Sequence, residues 1–400
     1  MDATFGGHVE PGFEAVQQAF EYNFGKGRER GAGFSVHVGG RKVVDIYGGH
    51  FDRDDTPYDE TTLQLVFSTT KGMTAICANL LAQRGQLDLA APVSSYWPEF
   101  KQAGKEDMPV RLLLTHQAGL PAVDRTLSAQ EAQAWDPMCA ALAEQAPFWE
   151  PGTAHGYHAV TYGYLVGEVV RRVSGRSLGT YFAEEVAGPL GLECWIGLPE
   201  ALEARVSPVF GGGIVPDGDG AIEGAAGTPE DFDSTLLARA LNPAGAFSER
   251  GWMNTRAWHA AEVPAANGIT NASSLSRLYA GVIGTVEGGP AEPLLTSAQV
   301  DEARTVRTSG ADQVFLSLGF PLEQKIGQGF WISSPYAPFG AEGAFGHAGA
   351  GGSYGFADPD NKVAVGYVMN KMSAGVIGDP RSHRLVKAVY DCIGVEPKYF

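Results

Sequence analysis

What most limits the fold of this chain is where its strand-like and helix-like stretches fall. Near the start, Phe34-Ser35-Val36-His37-Val38 alternates in side-chain character and Lys42-Val43-Val44-Asp45-Ile46-Tyr47 is β-branched, with Gly39-Gly40 between them as a hairpin turn. Near the other end, residues 354–357 and 362–369 repeat that pattern around the turn Asp358-Pro359-Asp360-Asn361. Helical spacing accompanies each pair. Phe13, Val16, Ala19 and Phe20 share a face ahead of Gly25, and residues 381–393 read as a helix. The middle, roughly 68–310, reads as mostly helical with long loops, among them an exposed Gly- and Asp-rich loop over 211–227. Strands supplied by both chain ends, with helices inserted between them, predict an α+β architecture. The expected division is a discontinuous α/β domain of residues 1–66 and 311–400, with an antiparallel sheet flanked by helices, and a mostly helical domain over 67–310.

Composition removes several function classes. With 44% hydrophobic and 19% charged residues the chain is globular rather than disordered. A net charge of −17 leaves little to attract a phosphate backbone, so no nucleic-acid partner is expected. Cys77, Cys139, Cys194 and Cys392 lie far apart without a C-x-x-C pair, which fits small buried hydrophobes better than a disulfide framework or zinc site. His116, His155, His158, His259 and His383 lack metal-ligand spacing, so neither metal nor cofactor is expected. The N-terminus has no basic segment followed by an apolar stretch, and no apolar run approaches 18 residues. The expectation is therefore a cytoplasmic protein with no membrane partner.

Three segments carry chemistry. Phe67-Ser68-Thr69-Thr70-Lys71-Gly72-Met73 contains Ser-x-x-Lys and opens a helix whose face is Met73, Ile76, Cys77, Leu80 and Leu81, with Gly85 as the stop. Positions i and i+3 share a face, so Lys71 can reach the Ser68 hydroxyl. Free N–H groups in a first helical turn can stabilise an oxyanion beside Ser68, and burial in an apolar helix would make Lys71 a base. Taken alone, the pair also fits a polar first turn with a surface lysine. Tyr157 stands at a second loop-to-helix junction, before the apolar face of Leu165, Val166, Val169, Val170 and Val173. A phenol beside a lysine ammonium is expected to have a lowered pKa and to relay a proton; a packed, hydrogen-bonded tyrosine fits equally. The third segment, Gly346-His347-Ala348-Gly349-Ala350-Gly351-Gly352-Ser353, lets a substrate lie against the backbone and can offer a second oxyanion N–H; taken alone it fits a plain Gly-rich turn better.

The ordered set resembles the serine β-lactamase superfamily, and within it the family VIII carboxylesterases, relatives of class C β-lactamases. Ser68-x-x-Lys71 is similar to the family's nucleophile motif, Tyr157-His158-Ala159 to its Tyr-x-Asn, and His347-Ala348-Gly349 to Lys-Thr-Gly. Leu113 to Leu120, Pro264 to Gly268 and Gly355 to Pro359 also look alike, so the resemblance runs from about residue 12 to the end of the chain. It implies an active site between the two domains. Ser68 would be the nucleophile, Lys71 and Tyr157 the base and acid, and the Ser68 and Ala350 amides the oxyanion hole, with His347, Ala348 and Gly349 lining the substrate site; His158, adjoining Tyr157, either touches the cleft as a substrate-binding residue or is a packed or solvated histidine. Two departures matter: Ala159 replaces an asparagine that helps bind a β-lactam amide, and His347 replaces a lysine that would pair with a β-lactam carboxylate. Both favour a neutral ester.

Gly351-Gly352-Ser353-Tyr354-Gly355 also spells G-x-S-x-G, the α/β-hydrolase nucleophile elbow. That elbow needs a helix after the serine, and here a Pro-containing turn follows, with only Asp379 and His383 left as partners. The expected activity is hydrolysis of a small-molecule ester through an acyl-enzyme. A β-lactamase, amide hydrolase or acyltransferase of the same superfamily, a non-catalytic binding domain, and a homo-oligomer all stay open at this level.

Overall fold

The computed structural model describes residues 3–25, 27–211, 235–247, 251–373 and 379–400; apart from Gly211, the loop expected at 211–227 lies outside them. A nine-stranded antiparallel sheet dominates. Its strands are β1 (Phe5–Val9), β2 (Gly31–Val38), β3 (Arg41–Gly49), β7 (Thr308–Ala311), β8 (Glu323–Ile326), β9 (Trp331–Ile332), β10 (Phe345–Ala348), β11 (Tyr354–Asp358) and β12 (Val363–Met369), in the order β1-β3-β2-β12-β11-β10-β9-β8-β7. A small second sheet pairs β4 (Gln64–Leu65) and β5 (Cys194–Trp195) with β6 (Ile269–Thr270). The two ends of the chain meet at the sheet's interior, where β2 runs antiparallel to β12 from Ala32 opposite Met369 to Val38 opposite Val363.

Both faces of the central strands are covered, so β2 and β12 are buried almost throughout. Phe34 and Val36 point into a core shared with Val16 and Phe20 of α1 (Glu14–Gly25) and with Leu385 and Val389 of α5 (Pro380–Cys392). The alternate residues Ser35 and His37 hydrogen-bond Ser276 of α4 (Ala272–Ile283) on the opposite face. Gly366 makes this approach possible, because a Cβ there would lie 2.4 Å from the Ala272 carbonyl oxygen. The four strands expected from the pattern are β2, β3, β11 and β12. The sheet is wider than expected because β1 and β7–β10 extend it.

In the helical part, α2 (Thr70–Gln83) is buried from Thr70 through Leu81 and packs on α3 (Thr161–Ser174). α3 ends at Gly175, whose φ of 71° is the left-handed conformation that a helix stop requires. All four cysteines are unpaired. Among the described residues, no group of side chains could hold a metal ion and no helix is long and apolar enough to cross a membrane.

Candidate active site

Ser68 sits in a single tight turn, Phe67–Thr69, that leads from β4 into α2. Between Thr62 and Leu81 it is the one residue that is not buried. Phe67 before it is buried at φ 45°, a left-handed conformation that costs a non-glycine residue about 1–2 kcal/mol. The kink is held on both sides. The Val66 N–H donates to the Gly268 carbonyl at 2.9 Å, the Gly268 N–H donates to the Thr70 hydroxyl at 2.8 Å, and that hydroxyl bonds the Phe67 carbonyl.

The Lys71 amine has no exposed surface and no ion pair among the described residues. Its Nζ lies 3.2 Å from Ser68 Oγ, 2.6 Å from the Ala159 carbonyl and 2.9 Å from the Ala265 carbonyl, and 4.7 Å above the Tyr157 ring. Burial holds its pKa well below the usual lysine range. An uncharged amine has two N–H groups and one lone pair. The two carbonyls take the two N–H groups, which leaves the lone pair for the Ser68 O–H. The arrangement can therefore draw a proton from a hydroxyl that substrate can reach.

Tyr157 is buried, and its hydroxyl hydrogen-bonds Ser68. The lowered phenol pKa expected from the sequence is corrected: burial pushes it up, and the bond to Ser68 only partly offsets this. Lys71 does not lower it, because the amine is itself driven towards neutrality and lies over the ring face. The ring is boxed by His116, Trp331, Phe315 and His347, with centroids 5.4, 5.6, 6.1 and 6.1 Å away. Its backbone is pinned by Asp312, a residue the sequence reading did not single out. That buried carboxylate accepts the N–H groups of Tyr157, Val314 at 2.8 Å and Phe315 at 3.1 Å, and burial raises its pKa to about 6. The available signal was an Asp ahead of a one-turn helix, Gln313–Leu316, too short to stand out by periodicity.

His347 stacks on Trp331 at 4.1 Å. Its Nδ1 lies 2.6 Å from the Ala348 carbonyl, and Nε2 has no partner among the described residues. Burial lowers its pKa well below the usual imidazole value, so the position carries no positive charge at neutral pH. His158, which by its place beside Tyr157 could touch the cleft or be a packed histidine, is packed. The ring is buried, with Nε2 accepting the Leu120 N–H at 2.9 Å and Nδ1 lying 2.6 Å from the Gly156 carbonyl.

Ala348 ends β10, and the glycine turn follows. Gly349 admits no side chain: a Cβ would meet Ser353 Oγ at 2.1 Å and the Val66 carbonyl oxygen at 2.3 Å. Ser353 is buried, donates to the Val66 carbonyl at 2.7 Å and lies 3.0 Å from Thr69 Oγ1. A strand, β11, follows it, while Asp379 binds Arg381, so no hydrolase elbow exists there. Ser353 instead ties the glycine turn to the residues on either side of Phe67 and Ser68. Neither the Ser68 nor the Ala350 N–H has a hydrogen-bond acceptor among the described residues, which leaves both available to an oxyanion.

A reachable hydroxyl set against a neutral buried amine, on an antiparallel sheet with inserted helices, defines a serine hydrolase. The comparisons give the family. Residues 13–389 match the β-lactamase family, and the chain belongs to it. It is 32% identical to "Esterase/beta-lactamase LipL" of Mycobacterium tuberculosis (strain ATCC 25618 / H37Rv), over 93% of this chain and 84% of that protein. A family VIII carboxylesterase crystal structure superposes with a TM-score of 0.85 at 37% identity, covering 97% of this chain and all of the other. A penicillin-binding protein homolog from Caulobacter crescentus does so with a TM-score of 0.85 at 38% identity, over the same shares.

Proposed function

We propose that the protein is a carboxylesterase that hydrolyses short-chain esters through an acyl-enzyme on Ser68. The observation that carries this reading is the buried Lys71 amine, its pKa lowered by that burial, 3.2 Å from the partly exposed Ser68 hydroxyl. Ser68 Oγ attacks the ester carbonyl while Lys71 takes its proton. The resulting oxyanion lies against the Ser68 and Ala350 N–H groups. Collapse expels the alcohol, which recovers a proton from the Lys71 ammonium through the Tyr157 hydroxyl. Water then attacks the acyl-enzyme with the same groups in reverse. Tyr157 acts here as a neutral phenol that donates and accepts, not as a phenolate.

The ester class follows from what lines the site. A neutral His347 gives an anionic group no counter-charge, and Ala159 has no side-chain amide with which to hold an acylamino group. The names of LipL and of the family VIII structure support the same class. We place the site between a domain of residues 1–66 and 311–400 and a helical domain of 67–310, and the four unpaired cysteines support a cytoplasmic location.

The test compares an aryl butyrate with a chromogenic cephalosporin, using wild type, Ser68→Ala and Ser353→Ala. Ester turnover lost only in Ser68→Ala, with little cephalosporin opening, is the expected result. Loss in Ser353→Ala with survival in Ser68→Ala would sink the assignment. Rapid cephalosporin opening would move the substrate class to β-lactams.

A further inference from the structure

A buried charged cluster grips the glycine turn, and the mechanism above does not use it. Arg381, at the start of α5, is only 3% exposed. Its Nη2 donates to the Gly351 carbonyl at 2.5 Å and to Asp379 Oδ2 at 2.6 Å, and its Nε bonds both Asp379 oxygens at 3.0 Å. Nη1 donates to the carbonyls of Lys371 at 2.8 Å and Arg28 at 3.1 Å, and lies 3.1 Å from Glu29 Oε1. Only a guanidinium has five donors in one rigid plane to satisfy such a set.

The turn needs an external support. Gly351 and Gly352 sit at φ 80° and 126°, where glycine is free and other residues are strained, and neither has a side chain to lock the loop. The Gly351 carbonyl is gripped twice, by Arg381 and by the Ser373 N–H at 3.0 Å. The cluster is seated directly on the loop, since a Cβ on Gly352 would lie 2.2 Å from Asp379 Oδ2 and 2.7 Å from Arg381 Nη2. An arginine that merely joined α5 to the sheet would need Glu29 and the Arg28 and Lys371 carbonyls beside β2 and β12, and not the Gly351 carbonyl.

We propose that Arg381 is a positioning residue for the oxyanion site: by holding the Gly351 carbonyl it fixes the turn from which the Ala350 N–H is presented. The inference rests on the reading of Ser68 and Ala350 given above. A strut of this kind serves the tetrahedral state more than the bound ester, because the oxyanion makes the stronger demand on the N–H.

Arg381→Lys keeps the charge beside Asp379 but not the fork that reaches Gly351. Gly352→Ala disturbs the same junction from the side of the turn. Each is measured for aryl butyrate kinetics, inhibition by phenylboronic acid, which forms a tetrahedral adduct on a serine, and thermal unfolding. In whichever variant folds, KM should stay within about twofold of wild type. Its kcat should fall about tenfold or more, with the boronate inhibition constant rising in proportion. A folded variant with lowered Tm but wild-type kcat and boronate affinity would overturn the proposal and leave Arg381 a purely architectural residue. Turnover or boronate binding that survives Ser68→Ala would instead overturn the underlying assignment, whatever Arg381 does.

Discussion

The surroundings of Lys71 and of Lys105 are built alike. Each lysine has no exposed surface, donates to two backbone carbonyls, lies over an aromatic ring and lacks a carboxylate partner among the described residues. They differ in which end of a helix they meet. Lys105 donates to the carbonyls of Ala143 and Gln145, where the helix Asp136–Glu144 ends, and the negative end of a helix dipole favours an ammonium. Its pKa falls only to about 8, so at neutral pH it is a charged cap. Lys71 stands in the first turn of α2, where the dipole opposes positive charge, and burial holds its pKa well below the usual lysine range. It also has what Lys105 lacks, a serine hydroxyl at 3.2 Å. A buried lysine bonded to carbonyls is therefore a structural device by default. Depth, helix polarity and a hydroxyl within reach turn it into a base.

The contrast can be broken by experiment. The largest effect is expected from Lys71→Met, which should lower kcat about a thousandfold or more, while Lys105→Met leaves kcat within about twofold. Equal losses would show that the two sites are not different in kind. Tyr157→Phe removes only the relay hydroxyl and keeps the ring in its aromatic box, so a kcat loss of about a hundredfold is expected, read by steady-state turnover. The pH profile sharpens the comparison. Because Lys71 must be neutral to act and burial lowers its pKa, activity should fall on the acid side and reach its plateau well below the ordinary lysine range. A steep rise through the ordinary lysine range, near about 10.4, would mean that Lys71 is charged at neutrality and no different from Lys105. The smallest effect concerns stability. Between about 8 and 10.5 the unfolded chain holds the Lys105 proton and the folded chain does not, so stability should increase with pH across that window. Chemical denaturation should show a shallower increase in Lys105→Met, and an identical slope would contradict the lowered pKa.

Much of this was legible in the sequence for reasons tied to particular residues. The Ser68–Lys71 interval is a helical one, so their proximity follows from local geometry. β2, β3, β11 and β12 could be read from their alternation, β-branching and turns. β7 to β9 could not: Thr308–Ala311, Glu323–Ile326 and Trp331–Ile332 are too short or too polar to carry a period. Burial lowers the Lys71 pKa, and that burial comes from neighbours the fold brings together; the carbonyls of Ala159 and Ala265 that orient the amine have no residue identity to recognise. The upward push on the Tyr157 phenol, the grip of Asp312 and the occupied ring of His158 likewise depend on neighbours brought together by the fold. Ser353 is the converse case. Its motif is conspicuous, yet the strand after it makes it a fastening between two loops.

The pairing of β2 with β12 has a consequence for how the protein is made. Ser68 and its lysine leave the ribosome early and belong to one local helix. The turn that presents Ala350 is completed only when residues 363–369 can zip against a strand formed more than 300 residues earlier. Contacts of such sequence separation form late and slowly. Nascent chains should therefore carry Ser68 and Lys71 for most of synthesis with nothing to receive the oxyanion, so that ester turnover reports completion of the polypeptide.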